Sequence, residues 1–277
     1  MNEHVRNLEE GYISGIRQSM QRYAEGHQKE FSTKALGIIE DAKKQFITYQ
    51  VKVASKKVRK IKGTPPKQYQ RLLDLCAARK NILMVGPSGC GKTHVAAMLA
   101  DSLGLDFSAQ SCSVGVSESN FVGWLLPTGN NGKFNHVVSE FLRLYENGGV
   151  FLFDELDNAD PNVLVFLNMA LAQNEFYLPQ RFDNPKVVRH PDFIAIAAAN
   201  TFGGGADILY SSRNALDAAT LDRFRMGTVQ MDYDDTVEEA LITDKKILSW
   251  GRTIRSEIKN RNLAKLMSTR ALIDTQD

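Results

Sequence analysis

Apolar residues in this chain form short continuous runs that alternate with stretches of helical periodicity. Continuous apolar runs of about four to eight residues are typical of strands that are buried on both faces of a parallel sheet. Helices are predicted between them, one with Asp160 as its N-cap and Pro161 at its first position. This alternation predicts an α/β fold with a parallel sheet. The predicted strands are Ile82–Val85, Leu105–Gln110, Val150–Phe153, Phe193–Ala199 and Met226–Met231.

The pattern divides the chain into three predicted parts. Residues 1–66 are expected to form a helical, basic N-terminal extension, which the turn sequence GTPP at residues 63–66 closes. Residues 67–231 are expected to form the α/β domain. Residues 232–277 carry apolar side chains at helical spacing and predict a small α-helical domain.

Two segments of the α/β domain interrupt the alternation. Residues 111–134 are polar and glycine-rich, and they are too long for a plain connection, so they predict a functional insertion. A helix is predicted directly after this insertion, over Phe134–Tyr145. Residues 174–192 carry aromatic residues and three prolines with little helical period, which indicates a β-hairpin or an ordered loop.

Composition narrows the classes of protein that fit. The chain has 277 residues and a net charge of +2, so overall charge argues neither for nor against a nucleic-acid partner. No apolar run approaches the length of a membrane span, and residues 1–10 lack the apolar centre of a signal peptide. Cys76, Cys90 and Cys112 have no metal-binding spacing, which fits a reducing compartment. These features predict a cytoplasmic protein without a membrane partner.

Positive charge is concentrated in residues 41–80, which contain twelve Lys or Arg residues against two acids. Such a segment is typical of contact with a nucleic-acid backbone or an acidic partner, and equally of a solvated helix face or linker. Few aromatic residues lie between the charges, which argues against a platform for stacking bases.

The motif GPSGCGKT at residues 86–93 lies between a predicted strand and a predicted helix. This is the context of a phosphate-binding P-loop, in which glycines let backbone N–H groups surround phosphate oxygens and the helix N-terminus adds positive charge. Lys92 is predicted to reach the β- and γ-phosphates, and the Thr93 hydroxyl to hold Mg²⁺. The predicted nucleotide-binding residues are Gly86, Pro87, Ser88, Gly89, Cys90, Gly91, Lys92, Thr93 and His94.

Cys90 lies inside this motif and has two interpretations. The surrounding N–H groups would lower the pKa of its thiol, which suits a redox sensor. The alternative is a small residue that happens to fit the loop.

Two carboxylates and an amide follow predicted buried strands. Asp154 and Glu155 come directly after Val150–Phe153, and Asn200 follows Phe193–Ala199. In open α/β sheets, ligands bind at the carboxyl ends of the strands. Asp154 is therefore predicted to ligate Mg²⁺, Glu155 to polarise a water that attacks the γ-phosphate, and Asn200 to orient that water.

The motifs GPSGCGKT, VFLFDE, AIAAANT, LDRF and STRAL, in this order, resemble those of the AAA+ ATPases. Within that family the chain resembles the dynein-related branch that contains the MoxR-type, CbbQ/NorQ-type and cobalt-chelatase small-subunit ATPases. The finer likeness lies in GG at residues 148–149, HPDF at 190–193 and ALDAATLDRF at 215–224. The resemblance covers about residues 68–277. It implies a P-loop AAA+ core with a central five-stranded parallel sheet, followed by an α-helical lid.

The resemblance also implies roles at matching positions. Asn200 corresponds to the sensor-1 residue, and Arg223 to the arginine finger that reaches the γ-phosphate held by a neighbouring subunit. Arg225 is the alternative finger, and Arg213 is expected at the subunit boundary. Arg270 corresponds to sensor 2 in the lid. A structural salt bridge is the alternative for Arg223, and a surface charge is the alternative for Arg270.

The function that the resemblance implies is hydrolysis of ATP to ADP and phosphate, with Mg²⁺, by a homo-oligomeric ring that is usually a hexamer. Such ATPases remodel or activate a protein client, often beside a von Willebrand factor A-type partner. The segments 111–134 and 174–192 would then face the ring pore or the client. Two alternatives stay open: a nucleic-acid-dependent motor or translocase that uses residues 41–80, and a non-catalytic assembly module that nucleotide controls.

Overall fold

The structure is a computed structural model that describes residues 63–128, 133–206 and 209–276. The chain divides into two units, Met1–Lys56 and Lys57–Asp277, and every described residue belongs to the second. The predicted helical N-terminal extension and the part of the basic segment before residue 63 lie outside the described residues.

Strands and helices alternate along the described chain. The strands are β1 (Ile82–Val85), β2 (Phe107–Ser111), β3 (Trp124–Pro127), β4 (Phe134–Val137), β5 (Gly149–Asp154), β6 (Glu175–Tyr177), β7 (Lys186–Val188), β8 (Phe193–Ala199) and β9 (Thr228–Gln230). The helices are α1 (Tyr69–Ala77), α2 (Lys92–Leu103), α3 (Ser119–Val122), α4 (Glu140–Asn147), α5 (Pro161–Ala172), α6 (Ala218–Phe224), α7 (Asp235–Leu241), α8 (Lys245–Asn260) and α9 (Thr269–Gln276). A single 3-10 turn, Leu156–Asn158, follows β5. Within the described ranges, no helix combines the length and the apolar character that crossing a membrane requires.

One parallel sheet of five strands organises the fold, in the order β2-β5-β8-β1-β9. Ile82 of β1 lies opposite Ile196 of β8, and Phe151 of β5 lies opposite Ala195 of β8. The three central strands are therefore β5, β8 and β1. The predicted α/β fold with a central five-stranded parallel sheet is confirmed.

Side chains of the central strands alternate between two apolar layers, because successive residues of a strand point to opposite faces. In β5, Val150 and Leu152 belong to the layer that α1 and α2 cover, whereas Phe151 and Phe153 belong to the layer that α4 and α5 cover. Both layers are buried. This is why the strands appear in the sequence as continuous apolar runs.

Aromatic side chains fill the second of these layers. Phe141 of α4 lies 5.2 Å from Phe151 and 5.6 Å from Phe166 of α5, measured between ring centroids. Phe121 of the short helix α3 lies 5.6 Å from Phe153 in the same way. Edge-on and tilted contacts of this kind add to the apolar burial. They attach three helices to β5 and so hold the carboxyl end of that strand in place.

The helix predicted over Phe134–Tyr145 is wrong in its first half. Residues 134–137 form β4, which pairs antiparallel with β3, and α4 begins only at Glu140. Ser139 is the N-cap of α4, and its hydroxyl accepts a hydrogen bond from the Leu142 amide at 3.0 Å. The apolar positions 134, 137, 138 and 141 have helical spacing. That spacing concealed the strand, because four residues are too few to reveal the period of two by which a strand is recognised.

Two other local predictions are confirmed. The segment 174–192 contains an antiparallel hairpin of β6 and β7. Asp160 is the N-cap of α5 and accepts a hydrogen bond from the Asn162 amide at 2.8 Å, and Pro161 occupies the first turn of the helix.

Helices α7, α8 and α9 follow β9 and pack around the buried side chains of Ile242, Leu248 and Leu272. Ser268 caps α9, because its hydroxyl accepts a hydrogen bond from the Ala271 amide at 3.1 Å. Leu272 also fills the space beside Gly251 of α8, where a Cβ atom has no room. These contacts hold the three helices together as a small apolar cluster of their own.

Candidate functional site

The predicted site residues meet at one edge of the sheet. Strand β8 pairs in parallel with β5 on one side and with β1 on the other, so the carboxyl ends of these three strands lie side by side. The loop 86–91 follows β1, Asp154 ends β5 with Glu155 directly after it, and Asn200 follows β8. Parallel pairing thus brings together residues that are far apart in the sequence, at the edge where such sheets bind ligands.

Glycines give the loop after β1 its shape. Gly91 is the N-cap of α2 with a φ of 90°, and Gly89 has a φ of 73°, a region that residues with a Cβ atom rarely adopt. Helix α2 begins directly after it, so the first backbone N–H groups of the helix face the loop without intrahelical partners. Free N–H groups at a helix N-terminus form an anion-binding site.

The Lys92 side chain folds back over this loop. Its ammonium donates hydrogen bonds to the carbonyl oxygens of Gly86 at 2.7 Å and Pro87 at 3.1 Å, and to Oδ1 of Asn200 at 2.9 Å. Lys92 is only 8% exposed, and this burial lowers the pKa of its ammonium group. The structure therefore places Lys92 and Asn200 in direct contact.

Thr93 and Asp154, the two predicted Mg²⁺ ligands, are also in contact. The Thr93 hydroxyl donates a hydrogen bond to Oδ2 of Asp154 at 2.7 Å, and Oδ1 of Asp154 accepts one from the Glu155 amide at 3.0 Å. A hydroxyl beside a carboxylate is a small set of oxygen ligands. It fits Mg²⁺, which keeps several waters and shares phosphate oxygens with its substrate.

Glu155 is held from two sides. Its backbone has a φ of 56°, in the left-handed region. Ser111 at the end of β2 donates its hydroxyl to Oε2 of Glu155 at 3.3 Å, and Arg213 donates from Nη2 to Oε1 at 3.0 Å. Ser111 is within reach because it lies opposite Asp154 in the pairing of β2 with β5.

The expected position of Arg213 at a subunit boundary stays a prediction. Within its own chain, the Arg213 side chain is only 11% exposed and pairs with Glu155. The cause is the path of residues 209–217, whose backbone is attached to the end of β5: the Asn214 amide donates to the Asp157 carbonyl at 2.7 Å.

Asp157 belongs to the site although the sequence pattern does not indicate it. Its side chain is wholly buried, and Oδ2 accepts hydrogen bonds from the amides of Asn200 at 2.9 Å and Thr201 at 3.0 Å, and from the Thr201 hydroxyl at 3.1 Å. These bonds hold the turn after β8 and thereby position Asn200. The available signal is a third acid two residues after Glu155.

Two tyrosines that no sequence motif marks hold the loop at Ser88. The Ser88 amide donates a hydrogen bond to Tyr210 Oη at 2.9 Å, and Tyr233 Oη donates one to the Ser88 carbonyl at 2.9 Å. The Arg255 guanidinium covers the Tyr233 ring at 4.0 Å from its centroid. Segments from before α6 and after β9 therefore converge on the loop.

The start of α9 lies against the same loop. A Cβ atom added to Gly89 would lie 2.7 Å from the Cβ atom of Ser268 and 3.6 Å from that of Arg270. Arg270 is exposed in the first turn of α9. The structure thus places the predicted sensor-2 residue beside the phosphate-binding loop.

The two candidate arginine fingers lie at the end of α6. Arg225 is 76% exposed at its side chain, with Nε 3.5 Å from Asp222. Arg223 is half-buried, and its Nε is buried without a hydrogen-bond partner. In the described part of the chain, neither arginine bonds or pairs with the loop 86–93 or with the carboxylates at the end of β5.

Cys90 and His94 complete the predicted set. Burial raises the pKa of the Cys90 thiol, and the nearby Lys92 ammonium does not offset that effect. This direction is opposite to the lowering that suits a redox sensor, so it favours the alternative of a small residue that fits the loop. His94 is exposed in the first turn of α2.

A glycine loop at a helix N-terminus, a threonine paired with a strand-end carboxylate and an amide on the neighbouring strand together define a nucleotide-binding protein of the P-loop class. Residues 81–224 match the family described as AAA domain (dynein-related subfamily). The chain belongs to this family. The AAA+ part of the resemblance is confirmed, and with it a nucleotide-binding domain of the ATPase type.

Two staphylococcal proteins and two solved structures are distantly similar to this chain. The chain is 27% identical over 218 residues to an uncharacterized protein of Staphylococcus saprophyticus, covering 73% of this chain and 79% of the relative. It is 26% identical over 206 residues to an uncharacterized protein of Staphylococcus epidermidis, covering 72% of this chain and 77% of that relative. Among solved structures it is similar to a Thermotoga maritima RuvB variant, with 18% identity and a TM-score of 0.47 over 76% of this chain and 59% of that chain. It is also similar to NtrX from Brucella abortus in complex with ATP, with 15% identity and a TM-score of 0.47, over 82% of this chain and 51% of the NtrX chain. The chain spans less than two thirds of either of these solved chains.

Proposed function

We propose that this chain is an ATPase that hydrolyses Mg²⁺-bound ATP in a homo-oligomeric ring and remodels or activates a protein client, as in the MoxR-type, CbbQ/NorQ-type and cobalt-chelatase small-subunit branch. The observation that supports this most is the convergence at one sheet edge, where Lys92 contacts Asn200 at 2.9 Å and Thr93 contacts Asp154 at 2.7 Å. Membership of the AAA family supports ATPase chemistry in general.

Binding of the triphosphate is assigned to the loop 86–93, with His94 beside it. In the structure the Lys92 ammonium bonds to the carbonyls of Gly86 and Pro87, so phosphate oxygens take the place of these weaker acceptors when a nucleotide enters. Free N–H groups of the loop and of α2 supply further donors. Arg270, beside the loop, adds a second cation for the γ-phosphate.

Hydrolysis is assigned to the groups that surround the phosphates. Glu155 takes a proton from the attacking water as the water oxygen bonds to the γ-phosphorus. The bond from phosphorus to the ADP oxygen breaks, and that oxygen leaves with the electron pair. Asn200 orients the water, and Lys92 offsets the charge that develops on the phosphoryl oxygens. Mg²⁺, held by Thr93 and Asp154, supplies further neutralisation of phosphate charge when bound.

An arginine from a neighbouring copy completes the proposed site. Arg223 is the first candidate and Arg225 the second, and both lie at the end of α6 without a bond to their own loop 86–93. A guanidinium in this position stabilises the transition state of the neighbouring copy. Head-to-tail contacts of this kind close into a ring, which we propose to be a hexamer.

Exposed apolar hairpins support a protein client. In the β3–β4 hairpin, Trp124, Leu126 and Val137 are exposed on one face and Phe134 on the other. Tyr177 and Phe182 are exposed in the segment of the second hairpin. Exposed apolar side chains that gather on one face mark sites of protein contact. We therefore assign these hairpins to the client or to a von Willebrand factor A-type partner.

The Glu155→Gln substitution tests the hydrolysis assignment. It removes the proton acceptor and keeps the shape of the side chain, so turnover should fall by at least about 100-fold while ATP binding and assembly persist. The control is Glu257→Gln, the same chemical change on the exposed face of α8. Phosphate release, ATP affinity and size-exclusion chromatography measure the three properties. Undiminished turnover in Glu155→Gln would refute the assignment.

Mixing two inactive variants tests the shared site. Arg223→Ala removes the finger, and Lys92→Ala removes the phosphate ligand, so each protein alone should be nearly inactive. Mixed rings contain some interfaces with an intact loop and an intact finger, and turnover should partly return. Mixtures of Arg225→Ala with Lys92→Ala, compared with those of Arg223→Ala with Lys92→Ala, decide which of the two arginines is the finger. If neither mixture regains turnover, the finger does not act between copies.

Two further measurements separate the proposed client role from the alternatives. Trp124→Ser with Phe134→Ser should leave basal turnover within about twofold, because the hairpin is outside the nucleotide site, and should abolish stimulation by a candidate client. Duplex DNA or RNA should not stimulate turnover at low salt. Stimulation with a steep salt dependence would instead favour the nucleic-acid motor that residues 41–80 suggested.

A further inference from the structure

Arg213 reaches back from the segment before α6 to the carboxylates at the end of β5. Its Nη2 donates to Oε1 of Glu155 at 3.0 Å, and its Nη1 lies 3.5 Å from Oδ1 of Asp157. Main-chain and side-chain bonds fix the segment, because Asn214 donates to the carbonyl of Asp157 at 2.7 Å and to that of Ala159 at 3.3 Å. The guanidinium therefore has a defined place within its own chain.

Asp157 links Arg213 to the opposite side of the site. One oxygen of its buried carboxylate accepts three hydrogen bonds from Asn200 and Thr201, and the other has no hydrogen bond and faces Arg213. A buried carboxylate needs a nearby positive charge, and Arg213 supplies it. The same carboxylate thus anchors both the guanidinium that holds Glu155 and the turn that presents Asn200.

We infer that Arg213 is a positioning residue for the catalytic carboxylate: anchored on Asp157, it holds Glu155 at the angle from which it accepts a proton from water. This inference rests on the proposed ATPase function. The Glu155 side chain is long and can adopt several staggered rotamers, so the main chain alone does not fix the position of its carboxylate. Arg213 and Ser111 each occupy one carboxylate oxygen with a single bond. A carboxylate has about four acceptor positions, so room is left for the water.

Arg213→Ala is expected to reduce kcat by about 10- to 100-fold, because a catalytic group that is misplaced by about 1 Å loses rate on that scale. The KM for ATP and the affinity for ATP should stay within about threefold of wild type, because the loop 86–93 is unchanged. Arg213→Lys should give an intermediate kcat, since Lys keeps the charge and loses the forked geometry. In a Glu155→Gln background, Arg213→Ala should cause no further loss.

Two controls separate positioning from folding. Arg79→Ala removes another half-buried Arg–carboxylate pair, with Asp192, away from the site and should leave kcat unchanged. Arg213→Met with Asp157→Asn removes both charges together and leaves no unpaired buried charge, so it should fold at least as well as Arg213→Ala and still turn over slowly. A double variant with wild-type kcat would show that Arg213 only balances Asp157, and would overturn the inference.

The outcome also separates this inference from the proposed function. If wild-type protein hydrolyses ATP, Glu155→Gln does not, and Arg213→Ala retains full kcat, only the role of Arg213 is wrong. If Glu155→Gln is as active as wild type, the proposed function of Glu155 is wrong, and the inference about Arg213 is refuted with it.

Discussion

The Glu238→Gln substitution tests what holds the C-terminal helices to each other and to the nucleotide loop. The buried Glu238 carboxylate accepts two hydrogen bonds from Arg255, at 2.8 and 2.5 Å, and one from the Thr269 hydroxyl at 2.6 Å. Arg255 also covers the ring of Tyr233, whose hydroxyl bonds to the loop at Ser88. The Glu238 carboxylate therefore connects α7 with α8 and the start of α9. Through Arg255 and Tyr233 it is also connected to the loop 86–91.

Glutamine keeps the shape of Glu238 and removes its charge, so the Arg255 guanidinium is left without a counter-ion. Breaking one side of a buried ion pair costs about 3–5 kcal/mol. The Arg255 side chain is 17% exposed and keeps some contact with water, so we expect the lower value, about 3 kcal/mol. For a unit of this size, that loss lowers Tm by roughly 6–12 °C.

The pH dependence of stability provides an independent check on the Glu238→Gln substitution. Burial acts to raise the pKa of Glu238, but hydrogen bonds from Arg255 and Thr269 outweigh it, so the pKa in the folded protein lies below the ordinary 4.5. A carboxylate with a lowered pKa stabilises the fold fully above its unfolded pKa, and this contribution is lost as pH falls through the folded pKa. The gap between wild type and Glu238→Gln should therefore narrow in acid.

Urea and thermal unfolding, followed by circular dichroism, measure both effects. The matched control is Glu239→Gln, the neighbouring residue, whose exposed carboxylate pairs with Arg252 at 2.9 Å. An exposed pair contributes at most about 1 kcal/mol, so the control should cost less than a third as much. Equal losses for the two substitutions, or a difference that persists unchanged at about pH 3, would refute the reasoning.

Three further substitutions test single contacts around the site. Gly89→Ala should weaken ATP binding by about 10-fold, because the φ of 73° at this position disfavours a residue with a Cβ atom and Ser268 lies 2.7 Å from where that atom would be. An unchanged affinity for ATP in calorimetry would contradict this prediction. Tyr233→Phe removes a hydrogen bond to the loop and should cost about 1 kcal/mol in urea unfolding; no measurable cost would exclude the bond. Asp217→Ala removes the N-cap of α6, which accepts from the Thr220 amide at 2.9 Å, and should also cost about 1 kcal/mol. Hydrogen bonds from Thr220 lower the pKa of Asp217, so this last cost should shrink as pH falls through that lowered pKa, and a cost that does not change with pH would contradict a charged cap.

Much of the nucleotide site could be predicted because its residues obey local rules. The loop 86–93 is recognisable from glycines and a Lys-Thr pair between a strand and a helix. Asp154 and Asn200 each follow a continuous apolar run, and parallel pairing brings the ends of such runs to one edge. Local periodicity failed at Phe134, where apolar spacing suited a helix and the chain instead pairs β4 with β3.

The sequence by itself therefore determined the class of fold, the phosphate loop and the strand-end residues, because hydrophobic period and turn chemistry act over a few neighbouring positions. Only the tertiary structure decided that Arg213 faces Glu155, that Asp157 holds the turn of Asn200, and that Tyr233 holds the loop. These partners are separated by 58, 43 and 145 residues, respectively, in the chain. They lie in loops and turns, where neither the helical nor the strand period restricts the side chain. Their directions follow from which segments pack together, and no local pattern records that.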